Sequence, residues 1–264
     1  MNIFERELRA NLRSLIVWGV IVVLFVALGV SKFSAYYNNP DMVKLVDSLP
    51  KAAQDALNLQ AFNLTTVSGF FGIMFTYFAL LLGIAAAMWG TDVISKEERD
   101  KTVEFSLTLP VPRTRLVTGK AIAALANCVA LLLITWGISV VSAVRYKPDE
   151  GFYRFLALSM VALFVIQLIF LSIGLFLGCA MKRHKLATSA AVSLLLMTYF
   201  VSLVTALNKS LDFLRFISPF KYFDPAALLH QSRFDVVTVA VSFAIVVASL
   251  AGAYVTYSRR DLYI

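Results

Sequence analysis

The sequence predicts an all-α membrane protein with six transmembrane helices in a single domain, residues 1–264. Hydrophobic residues make up 59% of the chain and charged residues 15%, against about 45–50% and 25% in soluble domains. Six stretches of at least 18 residues lack charged side chains, which is the length that a bilayer requires. The predicted spans are 14–31, 66–91, 121–144, 155–181, 186–208 and 236–258.

The segment before the first span has apolar residues at helical spacing. Phe4, Leu8, Leu12 and Leu15 are separated by four, four and three positions, and charged residues fall largely on the other face. This pattern predicts an amphipathic helix in the membrane interface. A plain basic flank to the first span explains the same residues equally well.

The distribution of Lys and Arg predicts the orientation. The loops on the side of the termini hold 14 of these residues, and the longer opposite segments hold 10. Because basic residues favour the cytoplasmic side, we expect both termini in the cytoplasm and the chain in the inner or plasma membrane of a prokaryote. A formal charge of +8 then needs only anionic lipid as a partner and no nucleic acid.

The sequence lacks the residues that most membrane enzymes and carriers need. The one Gly-Lys pair, Gly119-Lys120, is followed by Ala121, so no phosphate-binding loop of the form G-x-x-x-x-G-K-[ST] exists. His184 and His230 fall on opposite sides, and no span holds an ionisable Asp, Glu, Lys, Arg or His. We therefore expect no catalytic residue, metal or cofactor in this chain.

Uncharged polar residues within the spans are the candidates for a substrate path. Asn127, Gln167 and Tyr77 fall in three different spans. Interhelical hydrogen bonds explain such residues more often than substrate contacts do. Gly174-x-x-x-Gly178 predicts close helix packing, and Trp89 at the end of the second span predicts an interfacial anchor.

The segment before the last span, residues 209–233, is rich in aromatic residues and proline. This pattern favours an outer hairpin that re-enters the membrane, although an ordinary interfacial loop remains an alternative. The hairpin residues are Pro219, Phe220, Tyr222, Phe223 and Pro225.

The loop between the second and third spans, residues 95–113, combines charges with apolar residues. Ser95 and Glu98 form a capping-box pattern that predicts the start of a short helix. Pro110 and Pro112 would stop a helix that contains Phe105. A short rigid helix suits a groove on a partner; a solvated charged loop explains the charges but not Phe105 and the prolines.

The stretch Glu98-Arg99-x-x-Thr102-x-Glu104-Phe105, followed by Pro110-Val111-Pro112-Arg113 and Lys120, resembles the coupling-helix region of type-2 ATP-binding-cassette exporter permeases. The architecture is similar to the small six-helix branch, the bacitracin-resistance-like and nitrous-oxide-maturation-like permeases. Lys101 replaces the family's usual glycine. The resemblance implies an ATPase-coupling role for Glu97, Glu98, Arg99, Thr102, Glu104, Phe105, Pro110 and Arg113, with Pro110 and Arg113 terminating and anchoring the element.

The resemblance also implies partners and a function. Two ATPase subunits, which bind ATP and Mg, would serve two permease copies or one copy and a paralogue. The complex would export a hydrophobic or amphipathic cargo such as a peptide antibiotic, drug or lipid. An ATPase-dependent maturation or scaffold factor, or a stand-alone membrane carrier or enzyme, are the alternatives.

Overall fold

A computed structural model describes residues 3–37, 39, 41, 44, 48–50, 54, 62–99, 112–148, 150–181, 184–207 and 209–259. The described chain is helical and contains no strand. Its long helices are α1 (Ile3–Tyr36), α2 (Val67–Arg99), α3 (Arg113–Val144), α4 (Glu150–Ala180), α5 (His184–Leu207) and α7 (Val236–Arg259), with the short α6 (Pro225–Gln231) before the last.

The prediction of six membrane-spanning helices is confirmed. Each of the six long helices has the length and apolar composition needed to cross a bilayer. The amphipathic segment at the start of the chain is continuous with the first span, because α1 runs without interruption from Ile3.

Two helices form the centre of the bundle. The most apolar stretches of α2 and α4 are 67% and 61% buried, whereas those of α1 and α7 are 17% buried. α2 packs most extensively on α4, α5 packs on α2, α7 on α4, and α1 on α3. The exposed apolar surface of the outer helices is what a bilayer-facing helix requires.

The two ends of the bundle have different partners. Side-chain contacts at one end join the start of α1, the end of α2, the start of α3 and the end of α7; we call this the terminal end. At the other end, which we call the hairpin end, Tyr37 after α1 donates a hydrogen bond to the carbonyl of Tyr146 after α3 (3.1 Å).

Short helices connect α5 to α7 at the hairpin end. Two 3₁₀ helices, Lys209–Phe216 and Pro219–Lys221, precede α6. Asp224 caps α6, since its Oδ1 accepts a hydrogen bond from the Ala226 amide (3.0 Å) and Pro225 occupies the first helical position.

Candidate coupling and substrate-path sites

The predicted coupling residues lie mostly outside the described part of the chain. Thr102, Glu104, Phe105 and Pro110 fall in the undescribed residues 100–111, together with Lys101. The side chains of Glu97, Glu98, Arg99 and Arg113 are also outside it, although their backbones belong to α2 and α3. The structure fixes where this segment is attached: it joins the end of α2 to the start of α3.

The predicted helix start at Ser95 is wrong. α2 continues through Ser95 to Arg99, so the amides in this stretch already lie within a helix. A capping box is needed only where the first amides of a helix lack carbonyl partners. The charged end of α2 is therefore an extension of the second span.

A buried ion pair lies about two helical turns from the points where residues 100–111 join α2 and α3. Lys120 on α3 is buried, and its Nζ donates a hydrogen bond to the Val93 carbonyl near the end of α2 (3.1 Å). The same Nζ lies 3.8 Å from Oε1 of Glu7 on α1, and Arg6 approaches that carboxylate at 3.8 Å. Lys120 thus connects three helices, and it offsets the cost of its burial with a charge partner and a carbonyl.

A second polar contact joins α1 to the end of α2. The indole Nε1 of Trp89 donates a hydrogen bond to Oγ of Ser14 (3.0 Å), and Trp89 is only 2% exposed. Trp89 is therefore not the lipid-facing anchor that the sequence predicted. Ser14 lies seven residues after Glu7, which is close to two helical turns, so both contacts use one face of α1.

The contact between α2 and α4 is formed by glycines. A Cβ added to Gly174 would lie 2.4 Å from the Ala87 carbonyl oxygen, and one added to Gly178 would lie 2.7 Å from that of Thr91. A Cβ on Gly90 would lie 2.4 Å from the Leu171 carbonyl oxygen. These are backbone contacts without intervening side chains, which confirms close packing as the role of Gly174-x-x-x-Gly178.

The predicted substrate-path residues are not brought into one site. Gln167 donates from Nε2 to the Cys128 carbonyl of α3 (3.2 Å), which is an interhelical bond. Gln167 Oε1 and both amide atoms of Asn127 are buried without a partner among the described residues. Tyr77 lies elsewhere, on α2, with its ring 5.8 Å from that of Phe25 on α1.

Tyr77 belongs to a partly exposed face of α2. Along this central helix the partly exposed apolar residues recur at helical spacing. They are Ile73, Tyr77, Leu80, Leu81, Ile84 and Met88. Phe78, on one side of this stripe, contacts Phe25 of α1, and Gly83, on the other side, approaches Leu195 of α5. The stripe therefore lies between α1 and α5, away from the α3–α4 contact that holds Gln167.

The predicted hairpin residues pack into the bundle. Phe220 lies 5.6 Å from the ring of Phe170 on α4 and 5.4 Å from that of Tyr199 on α5. Ser218 donates to the Thr198 carbonyl (2.8 Å), nine residues before the end of α5, or about 13 Å along its axis. Pro219, Tyr222, Phe223 and Pro225 are buried as well.

The Tyr222 hydroxyl has a backbone partner within the same segment. It donates a hydrogen bond to the Phe216 carbonyl, and burial raises the pKa of this phenol above its ordinary value. The hydroxyl is thus a fixed donor that holds the two 3₁₀ helices together.

The described residues contain no group of three or more His, Cys, Asp or Glu side chains that could hold a metal ion. The interactions found at the sites described above are packing, hydrogen bonds and the Lys120 ion pair.

The sequence matches the family described as ABC-2 family transporter protein over residues 1–262. The chain belongs to this family. It is therefore a transmembrane component of an ATP-binding-cassette transporter, and the family implies an ATP-binding-cassette partner in the cell membrane. No curated protein matches the sequence.

Two contacts at the terminal end were not predicted from the sequence. Lys120 was identified only as part of a motif, and Glu7 and Ser14 were not singled out. Glu7 and Ser14 share one face of α1 because they are seven residues apart. Glu5, Arg6, Arg9, Asn11 and Arg13 lie in the same segment, so the spacing alone does not set these two residues apart.

Proposed function

We propose that this ABC-2 protein is the permease subunit of an ATP-driven exporter, without enzymatic activity of its own. It would move a hydrophobic or amphipathic cargo outward, with both termini and the terminal end in the cytoplasm. A separate ATPase subunit, carrying ATP and Mg, would bind residues 95–113 on each of two permease chains. The observation that carries the proposal is the family match over residues 1–262, joined to a sequence that has no phosphate-binding loop of its own.

The described helix contacts suggest how movement of the coupling segment would spread. Glycine contacts between α2 and α4 leave no side chain that could deform, so displacement of the α2 end would carry α4 with it. Through its contacts with Glu7 and Val93, Lys120 would make the start of α1 move together with the start of α3. ATP can drive the change only through different affinities for two conformations of the complex.

The partly exposed stripe of α2 is a better candidate for the cargo path than the buried contact between α3 and α4. Tyr77 lies on it, whereas Asn127 and Gln167 are fully enclosed by their own chain. A second permease copy facing this stripe would enclose an apolar path between the two chains. The aromatic and aliphatic stripe suits an amphipathic cargo better than a hydrophilic one.

Co-purification tests the assignment. The full chain is isolated from its native membrane in mild detergent, and the bound ATPase is quantified for wild type, Glu104→Lys and Glu150→Lys. Glu104 lies in the proposed docking segment, whereas Glu150 is exposed at the start of α4, at the hairpin end. Both substitutions reverse one carboxylate, so they match in chemistry.

We expect wild type and Glu150→Lys to retain the ATPase and Glu104→Lys to lose most of it. Outward transport is then measured as ATP-dependent uptake of a fluorescent amphipathic probe into inside-out vesicles. Equal retention by all three chains would contradict docking through residues 95–113. An ATPase that binds without driving uptake of the probe would point instead to a maturation or scaffold role.

A further inference from the structure

A narrow apolar cavity lies between α3, α4 and α7, with Val93 of α2 also in its lining, in the half of the bundle nearer the terminal end. Its volume is about 190 Å³. The lining is aliphatic apart from Ser172, Thr118 and Tyr254, and Ser172 donates its hydroxyl to the Ile169 carbonyl (2.8 Å). We call this cavity the α3–α7 slot.

The slot is elongated along the bundle axis. On α7 its lining runs from Val246 to Tyr254, which is eight residues or about 12 Å. On α3 it runs from Thr118 to Leu125, or about 10 Å. Dry apolar cavities of about 150 Å³ already accept a small hydrocarbon, so a slot of this shape has room for a run of methylenes.

The mouth of the slot opens on a bilayer-facing surface. Ile122, which lines it, is 50% exposed, and Val247, next to the lining residue Val246, is 47% exposed. Both belong to helices with the length and composition of membrane spans. The hydrocarbon that reaches this mouth from the bilayer is a lipid acyl chain.

Two side-chain hydroxyls, those of Thr118 and Tyr254, lie at the terminal end of the slot. Thr118 Oγ1 donates to the Thr114 carbonyl (2.8 Å) and shares a hydrogen bond with the Tyr254 hydroxyl (2.7 Å). Because a threonine hydroxyl has one proton, Tyr254 is the donor in the shared bond. These hydroxyls lie five residues, or about 7.5 Å, from the start of α3 and from the end of α7, so they are on the side of the slot where a headgroup would lie.

A positively charged residue, Arg115, lies close to this polar end of the slot. Arg115 is exposed and precedes Thr118 by three residues and Ile122 by seven, so it lies on the mouth side of α3. A guanidinium above two hydroxyls and an apolar slot matches the chemistry of an anionic phospholipid, with its phosphate outside and one chain inside.

We propose that the α3–α7 slot holds one acyl chain of an anionic phospholipid from the leaflet at the terminal end, with its headgroup bound by Arg115. This binding site is separate from the α2 stripe, and it does not depend on the ATPase or on the direction of transport.

Photolabelling of the full chain tests the proposal. The purified protein is reconstituted with phosphatidylglycerol or phosphatidylcholine that carries a diazirine on one acyl chain, and labelled peptides are mapped by mass spectrometry. We expect the label to concentrate on the slot residues of α3, α4 and α7, with phosphatidylglycerol favoured. Arg115→Gln should reduce that preference about fivefold, the contribution of one basic residue to an anionic surface, while Arg13→Gln on α1 leaves it unchanged.

A second pair of variants tests the slot itself. Ala121→Trp fills the slot from α3, and Leu133→Trp places the same side chain on a position of α3 that is 55% exposed and outside the slot. Slot labelling should be lost in the first and kept in the second. The proposal would be overturned if the label were spread evenly over α1 and α5, or if wild type and Arg115→Gln showed the same headgroup preference. Both results can be obtained even if Ala121→Trp fails to fold. Slot labelling that requires ATP turnover would assign the slot to cargo and would overturn it too.

Discussion

Two helix contacts of this bundle differ in the interactions that hold them. α2 and α4 meet backbone to backbone through Gly90, Gly174 and Gly178, so their distance is set by volume. The start of α1 is held by polar groups instead, through Glu7 with Lys120 and Ser14 with Trp89. A contact limited by volume is disrupted when an atom is added to it, whereas a polar contact is disrupted when one of its polar groups is removed. The first suits a rigid pair of helices, and the second suits the start of a helix, whose position depends on a few interactions.

The largest effect is expected from adding one methyl group to the α2–α4 contact. Gly174→Ala would place a Cβ 2.4 Å from the Ala87 carbonyl oxygen, and backbone on both sides has to separate. We expect a loss of about 3 kcal/mol in the free energy of unfolding, measured by denaturant titration in detergent micelles. Gly137→Ala on α3 is the matched control, because nothing lies within 4 Å of its added Cβ. Equal stability of the two variants would show that the contact is not limited by volume.

A smaller loss is expected from removing the cation at the start of α3. Lys120→Met keeps much of the side-chain length but leaves the Val93 carbonyl without this donor and the Glu7 carboxylate without this cation. We expect about 2 kcal/mol of destabilisation in the same titration. Arg115→Met removes an exposed cation from the same helix and should change the stability by less than about 0.5 kcal/mol. If Lys120→Met proves as stable as Arg115→Met, the ion pair does not hold α1.

The smallest effect is expected at the second contact of α1. Trp89→Phe keeps an aromatic ring but removes the N–H that Ser14 accepts, at a cost of about 1 kcal/mol. Ser14→Ala should cost a similar amount, and the double variant should cost less than the sum of both. Full additivity, measured in a double-mutant cycle, would mean that the two side chains do not interact energetically.

Much of the helical frame could be predicted from charge-free stretches, but the helix ends could not. α2 extends eight residues beyond the predicted span that ends at Thr91, through Asp92 and Lys96. Charged residues end a membrane-embedded stretch but not a helix, because water or a neighbouring helix can satisfy them once the chain leaves the hydrocarbon. The same holds for α3, which begins at Arg113 although its predicted span begins at 121.

The candidate sites were predicted less completely, because they depend on packing between distant segments. The spacing of Gly174 and Gly178 predicted a close helix contact. Their contact partners, Ala87 and Thr91, became known only from the packing of α4 on α2. The burial of Lys120 depends on Glu7, which is 113 positions away in the sequence. Tyr77 was predicted together with Asn127 and Gln167 from residue type alone, and the fold separates it from them.

The mass of the complex purified from native membrane tests the central claim most directly. If this ABC-2 protein is a permease subunit, native mass spectrometry should detect two permease chains, either two copies of this chain or one copy with a paralogue, together with two ATPase subunits. Glu104→Lys should release the ATPases and leave the permease pair intact. A wild-type chain that is recovered without any ATPase, while its transport activity persists, would contradict the account.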